Sequence, residues 1–289
     1  MAQGRRAEIR AMNLSSRQKL VEALIPIIRK AGAVVHSLQK SELAPRSKSD
    51  GSPVTIADLA SHDILCGACR ALSKTIPILS EEDESSATTA LNTVAFVIDP
   101  LDGTKEYIRG RDEFTVNIAL IENGHATAGL IHAPARGRLF FSYGSGYAFE
   151  ETPDGRRRNL GKQTVPPRQP IVLVSRSHLD RQTKDLLAAL RPRTVREVGS
   201  SLKFALIAAA EADAYIRLSP TMLWDCAAGI ALVEAAGGFV RRTDGSPLLE
   251  ARSRTLKIDG FVAGRTPQLA QWIETAQKTI PFEDRTENR

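Results

Sequence analysis

Hydrophobic positions along the chain change period several times, and each change marks an element. Behind a charged stretch, residues 1–14, that reads as a mobile arm, Leu20, Leu24, Ile27, Ile28, Ala31 and Val35 recur at helical spacing. Ser15 or Ser16 stands where a cap belongs, and Pro26 is expected to kink the helix. Residues 41–53 carry Ser, Lys and Pro without periodicity and are predicted to form a loop, whereas 55–73 return to the helical period. Residues 76–80 form a short apolar strand that runs into Glu81-Glu82-Asp83-Glu84. The run Val94-Ala95-Phe96-Val97-Ile98 is rich in β-branched residues and has the pattern of a strand covered on both faces. Pro100 has no N–H for a central ladder, so the chain is expected to leave the sheet at Asp99.

From residue 113 to 150 apolar and polar positions alternate, broken by Glu122-Asn123-Gly124, Ala135-Arg136-Gly137 and Gly144-Ser145-Gly146, as in an antiparallel meander of hairpins. His125 and His132 lie within these strands as ordinary packed or surface residues. The proline-rich stretch 164–170 is the clearest boundary. Beyond it strands and helices alternate: strands at 171–175, 195–198, 214–218 and 260–263, and helices at 179–190, 202–211, 226–236 and 267–278. The predicted organisation is a mobile arm (1–14), an N-terminal α+β subdomain (15–165), a C-terminal α/β subdomain (166–279) and a disordered tail (280–289). The fold class is α/β with helices and sheets in layers.

Composition narrows the partners. The chain has 289 residues, 42% hydrophobic and 25% charged, with a net charge of +6 that suits an anionic partner. A small polyphosphorylated molecule satisfies that charge as well as nucleic acid does. Basic residues form no long run, and Phe 9, Tyr 4 and Trp 2 are too few for a base-stacking surface, so no nucleic-acid partner is expected. The three cysteines make no disulfide framework and favour a reducing compartment, the cytoplasm. Cys66-x-x-Cys69 falls in a helical pattern without a second ligand pair, which favours core residues over a zinc site. The N-terminal region has neither the apolar core of a signal peptide nor a transmembrane span.

Candidate chemistry concentrates at element ends. Asp99 and Asp102 follow the buried strand, Glu81 follows the strand at 76–80, and Asp225 stands just before the helix at 226–236. Single acids at such places are often no more than turn residues. Together they suit a hard divalent cation such as Mg²⁺, which takes oxygen ligands and is usually completed by substrate phosphates. Four neighbouring carboxylates would also raise one another's pKa values unless divalent ions compensated them.

Here the residues resemble a known family. Asp99-Pro100-Leu101-Asp102-Gly103-Thr104, Ser80-Glu81-Glu82-Asp83 and Trp224-Asp225-x-x-Ala228-Gly229 are similar to the motifs of the inositol monophosphatase superfamily, lithium-sensitive and Mg²⁺-dependent phosphomonoesterases. Pro53-Val54-Thr55-x-Ala57-Asp58, Gly103-Thr104-Lys105-Glu106-Tyr107, Val174-Ser175-Arg176-Ser177-His178 and Gly199-Ser200-Ser201-Leu202-Lys203-Phe204 resemble its bacterial 3′(2′),5′-bisphosphate nucleotidase branch. The resemblance implies an αβαβα sandwich of two subdomains, with two or three Mg²⁺ per site and inhibition by Li⁺. It implies that Glu81, Asp99 and the Leu101 carbonyl hold one ion and Asp99, Asp102 and Asp225 a second. Thr104 and Asp58 would then polarise the attacking water, with Glu81 beside them.

By the same resemblance the substrate is a small bisphosphate nucleotide, and its 3′-phosphate is hydrolysed. Adenosine 3′,5′-bisphosphate, with its sulfated derivative a further candidate, would yield AMP and phosphate within sulfur metabolism. Glu81, Leu101, Asp102, Gly103, Thr104 and Asp225 would surround the reacting phosphate. Ser175, Ser177, His178, Gly199, Ser200 and Lys203 would face the rest of the nucleotide, with Lys203 and Ser200 on the second phosphate. Inositol 1-phosphate and fructose 1,6-bisphosphate remain alternative substrates. An aspartyl-phosphate phosphatase is disfavoured because that class carries Asp-x-Asp, one residue shorter than Asp99-x-x-Asp102, and a non-catalytic nucleotide-binding protein is disfavoured by the intact water-activating pair. Monomer and homodimer, and peripheral association with the inner membrane, stay open.

Overall fold

The fold is that of a computed structural model, which describes residues 11–39, 46–47, 53–88, 94–161, 169–249 and 255–279. Most of the arm, the loop and the boundary stretch, and the whole 280–289 tail, therefore lie outside the described residues. Helix α1 (Leu14–Leu38) is capped by Asn13, whose Oδ1 accepts the Ser16 N–H at 2.8 Å. Ser15 and Ser16 belong to the first turn instead, a correction to the expected cap, and the helix passes Pro26 without interruption. The short antiparallel pair β1 (Arg46–Ser47) and β2 (Pro53–Val54) precedes α2 (Ile56–Leu72). Thr55 and Asp58 close its N-terminus as a capping box: Asp58 Oδ2 accepts the Thr55 N–H at 2.8 Å and its hydroxyl at 2.6 Å.

Strand β3 (Ile78–Ser80) runs parallel to β4 (Val94–Asp102), which leads into α3 (Thr104–Ile108). The expected meander follows as β5 (Thr115–Glu122), β6 (His125–Ala133), β7 (Arg138–Ser142) and β8 (Ala148–Glu151), and extends to β9 (Arg157–Asn159). Among the described residues these strands form a seven-stranded sheet in sequence order. The expectation that the chain leaves the sheet at Asp99 needs correction. Asp99 pairs with Asn117 and Asp102 pairs again with Thr115, so β4 carries one residue more than β5 across that interval. The bulge lets Pro100 sit without a ladder N–H and turns the flanking acids toward one end of the sheet.

The second half contains β10 (Ile171–Ser175), α4 (Arg181–Leu190), β11 (Thr194–Val198), α5 (Leu202–Ala208), β12 (Ala214–Arg217), β13 (Thr221–Met222), α6 (Leu223–Ala235), β14 (Phe239–Arg241), β15 (Lys257–Ile258), β16 (Phe261–Gly264) and α7 (Pro267–Gln277). Its main sheet has the order β11-β10-β12-β16-β14, and β13 and β15 form a separate ribbon. Helix α6 begins at Leu223, so Asp225 lies inside its first turn and not ahead of it, where its Oδ2 accepts the Met222 N–H at 3.2 Å.

Alternation along the strands sorts the core. Val94, Phe96 and Ile98 with Val116, Ile118 and Leu120 face α1 and α2, whereas Ala95, Val97, Ala119 and Ile121 face α5 and α6. The small residues on that second face let α6 come close: a Cβ at Gly129 would lie 2.5 Å from the Ala228 carbonyl oxygen. Tyr215, Phe261 and Ala263 of the five-stranded sheet join the same cluster from the other side. On that sheet's outer face, Leu186 and Leu190 of α4 and Ile273 of α7 cover Val172, Val174 and Ile216. The order of layers is thus αβαβα, with α6 between the sheets and its N-terminus aimed at the end of β4.

Candidate active site

Parallel pairing of β3 and β4 brings two acids together by construction. The Glu81 N–H donates to the Ile98 carbonyl at 3.2 Å, which sets Glu81 beside Asp99, and the first turn of α6 adds Asp225. One carboxylate oxygen from each of Glu81, Asp99 and Asp225 lies within 4.8 Å of the other two. Asp99 is fully buried. Its Oδ1 accepts the Leu101 N–H at 3.1 Å, while Oδ2 is buried with no hydrogen-bond partner among the described residues. Burial, and then the charges of Glu81, Asp102, Asp225 and Asp58, push the Asp99 carboxyl well above the usual carboxylate range. A buried carboxylate oxygen without a donor is costly. In an all-oxygen cluster it fits a hard divalent cation.

Asp102 stands apart from that trio. It is half-buried, and its Oδ2 accepts the Ser201 N–H at the start of α5. Burial and the neighbouring Asp225 raise its pKa to about 7, against the opposing pull of Lys203 and the Ser201 N–H. The Thr104 hydroxyl lies 3.4 Å from Asp58 Oδ1 and 3.2 Å from the Leu101 carbonyl oxygen, a single donor between two acceptors.

These groups border a cavity of about 680 Å³, within the size range of small-molecule sites. Glu81, Leu101, Asp102, Gly103, Thr104 and Asp225 line it together with Ser175, Ser177, His178, Gly199, Ser200 and Lys203. Asp58 and Asp99 lie behind the wall, Asp58 adjoining it through Thr104. Gly103 has φ 88°, and a Cβ there would meet the Glu113 carbonyl oxygen at 3.0 Å and Ser200 Cβ at 3.2 Å, so glycine is what lets these segments meet. Ser200 itself adopts φ 49°, uncommon for a residue with a side chain.

Lys203 is more deeply engaged than its sequence position suggested. It is 3% exposed, and its Nζ donates to the Val198 carbonyl at 3.1 Å and to that of Ser200. Burial lowers its pKa to about 8, resisted by Asp102. Sequence reasoning assigned no role to Arg217, Lys105 or Glu106, all of which line the cavity. Arg217 donates to the Pro220 carbonyl at 2.9 Å and has a buried Nε without a partner among the described residues. The available signal was a cation closing the otherwise apolar strand β12.

The inositol monophosphatase family model matches residues 16–281. The 3′(2′),5′-bisphosphate nucleotidase CysQ of Escherichia coli (strain K12) is 42% identical over 203 residues, 70% of this chain and 81% of that protein. That of Buchnera aphidicola is 35% identical over 251 residues, 85% of this chain and 94% of that protein. The crystal structure of CysQ from Bacteroides thetaiotaomicron, a bacterial member of the inositol monophosphatase family, superimposes with a TM-score of 0.73 at 30% identity, over 88% of this chain and 99% of that one.

Proposed function

The chain belongs to the inositol monophosphatase family, and from that premise we propose that it is a Mg²⁺-dependent, Li⁺-inhibited phosphomonoesterase that uses water to release the 3′-phosphate of adenosine 3′,5′-bisphosphate, leaving AMP. The observation that carries this reading is the convergence of Glu81, Asp99 and Asp225, with the orphaned Asp99 Oδ2, at a cavity also lined by Lys203, Arg217 and His178. Glu81, Asp99 and the Leu101 carbonyl would hold one ion, and Asp99, Asp102 and Asp225 a second. When bound, the ions supply charge compensation and Lewis acidity for attack on phosphorus and departure of the ribose oxygen.

The chain's own groups do the rest. Thr104, donating toward Asp58, orients the attacking water, and Asp58 is the acceptor that draws the proton away from it. The N–H groups that open α3 lack intrahelical acceptors and stand at the cavity wall, suited to phosphate oxygens. Lys203, Ser200 and Arg217 take the phosphate that is retained, and Ser175, Ser177 and His178 flank the nucleoside. No helix among the described residues is long and apolar enough to cross a membrane, and a cytoplasmic place in sulfur metabolism follows from the substrate.

The test is phosphate release from adenosine 3′,5′-bisphosphate, inositol 1-phosphate and fructose 1,6-bisphosphate, each with and without Mg²⁺. The bisphosphate nucleotide is expected to be turned over with the highest kcat/KM, and only with the cation. A higher kcat/KM on either of the other two overturns the substrate assignment.

A further inference from the structure

Three consecutive residues that follow β10 are each bound by a side chain from the first half of the chain. Arg176 donates to both oxygens of Glu113 at 2.8 and 3.0 Å, and Glu113 also accepts the Gly199 N–H at 3.0 Å. The Ser177 hydroxyl donates to Glu106 Oε1 at 2.5 Å. Lys105 Nζ donates to His178 Nε2 at 3.4 Å. Arg176 and Glu113 lie outside the cavity lining, whereas Lys105, Glu106, Ser177 and His178 form part of it.

Glu106 is not a solvated surface charge. It is 4% exposed, and a Cβ placed on Gly199 would stand 2.8 Å from Glu106 Cγ, so the side chain packs directly on the turn before α5. A buried carboxylate is costly unless it is hydrogen-bonded, and the partner it has is Ser177. Lys105 acts on the neighbouring residue in a different way. An ammonium group can only donate, so His178 Nε2 must be the unprotonated nitrogen and the ring proton must sit on Nδ1, which is 3.5 Å from Ser175 Oγ. Burial, with the charges of Arg217 and Lys105, favours that neutral ring.

We propose that Lys105 and Glu106 are positioning residues that set selectivity for a bisphosphate nucleotide by holding Ser177 and His178 in place in the cavity lining. The inference deepens the proposed function and rests on it. Neither side chain is assigned to the reacting phosphate: the Lys105 ammonium donates to His178 and the Glu106 carboxylate accepts from Ser177. The proposed function places the reacting phosphate at the acids and the nucleoside along Ser177 and His178, so an ordered lining there tightens the nucleotide. A small phosphate ester, confined to the acid-lined end, gains little from it.

The experiment measures kcat and KM of the purified full chain for adenosine 3′,5′-bisphosphate and for glycerol 2-phosphate in saturating Mg²⁺. Glu106→Ala is expected to raise the KM for the nucleotide about tenfold or more, the size of a lost hydrogen bond to a charged group, with kcat within about threefold. The loss in kcat/KM on glycerol 2-phosphate should be at least about fivefold smaller. Glu106→Gln retains an acceptor for Ser177 and should recover most of the KM. Adding Glu106→Ala to Ser177→Ala should cost little more than Ser177→Ala alone, because Glu106 then has no Ser177 hydroxyl left to hold. If Glu106→Ala fails to fold, Lys105→Ala at an exposed position carries the same expectation through His178. Equal losses on both substrates, or additive losses in the double variant, overturn the inference. Unaltered chain that releases phosphate from glycerol 2-phosphate but not from the nucleotide overturns the proposed function, and this inference with it. Normal nucleotide turnover with an unchanged KM in Glu106→Ala sinks the inference alone.

Discussion

Replacing Asp102 by asparagine separates the energetic role of the acids from their catalytic one. The Asp102 carboxyl has its pKa raised from 3.8 to about 7 by burial and by Asp225, with the opposing effects of Lys203 and the Ser201 N–H included. A raised carboxyl pKa means that the folded state disfavours the ionised form. The destabilisation is absent below the unfolded value, grows as pH rises from about 4, and is complete above about 7. At 1.36 kcal/mol per unit, the ionised group costs the metal-free fold about 4 kcal/mol, an upper bound because water entering between the acids relieves part of it. Asparagine keeps an oxygen for the Ser201 N–H and removes the charge. Without divalent cations at pH 7.5, Asp102→Asn should therefore be more stable than the parent chain by about 2–4 kcal/mol, or roughly 5–10 °C in Tm. At pH 4.5 the gap should nearly close.

In Mg²⁺ the order should invert. The parent chain gains stability by binding the cation in its native state, and the variant, lacking one ligand, gains much less and turns over phosphate esters several orders of magnitude more slowly. Thermal unfolding in EDTA and in Mg²⁺ at both pH values, alongside phosphate release, supplies all the quantities. A variant that is less stable than the parent in EDTA at pH 7.5, or that shows the same Mg²⁺ shift as the parent, refutes the account of these acids as a charge cluster awaiting a cation.

On the proposed function, in which they prepare the water and not the cation, Thr104→Ala and Asp58→Asn should each lower kcat by about 10²–10⁴-fold while leaving the Mg²⁺-induced rise in Tm intact; loss of that rise in Thr104→Ala would reassign Thr104. Lys203→Met keeps the buried packing but strips donors from the Val198 and Ser200 carbonyls, so Tm should fall by roughly 3–6 °C, from about 1.5–3 kcal/mol. A change below one degree would mean that the ammonium does not hold that turn.

How far the site could be read from the chain depended on the distance over which each device acts. Asp58 was legible as a first-turn acid of α2, whereas its partnership with Thr104 was read from the family resemblance, and the capping box that it forms with Thr55 was not foreseen. Glu81 and Asp99 were legible as acids at the ends of two apolar runs and their joint role was read from the resemblance; the parallel pairing of β3 with β4 that brings them together was not foreseen. The bulge around Pro100 was not legible, since a proline without an N–H partner ends a strand or bulges it depending on whether the opposite strand offers Thr115 for Asp102 to rejoin. The cap of α1 was missed for a related reason. Asn13, Ser15 and Ser16 are all residue types that cap helices well, and the chain uses Asn13, whose Oδ1 accepts the Ser16 N–H.

The strap between the halves was the least legible part, and the reason is physical. Ser177 and Glu106 are 71 residues apart, Lys105 and His178 73, and Arg176 and Glu113 63. Nothing in Lys105-Glu106 differs locally from a solvated charge pair on a short helix, which is the commoner fate of such residues. What makes them different is that α3 starts where β4 ends. The bulge that collects the acids also delivers the next two charged side chains to the seam with β10. There, burial leaves Glu106 no inexpensive alternative to the Ser177 hydroxyl. The same turn of chain thus supplies both sets of groups: Asp99 and Asp102, where the proposed function puts the reacting phosphate, and Lys105 and Glu106, which bind His178 and Ser177. A change at Lys105 or Glu106 should therefore alter which ester is accepted before it alters how the ester is cleaved, whereas a change at Thr104, the first residue of the same helix, should do the reverse.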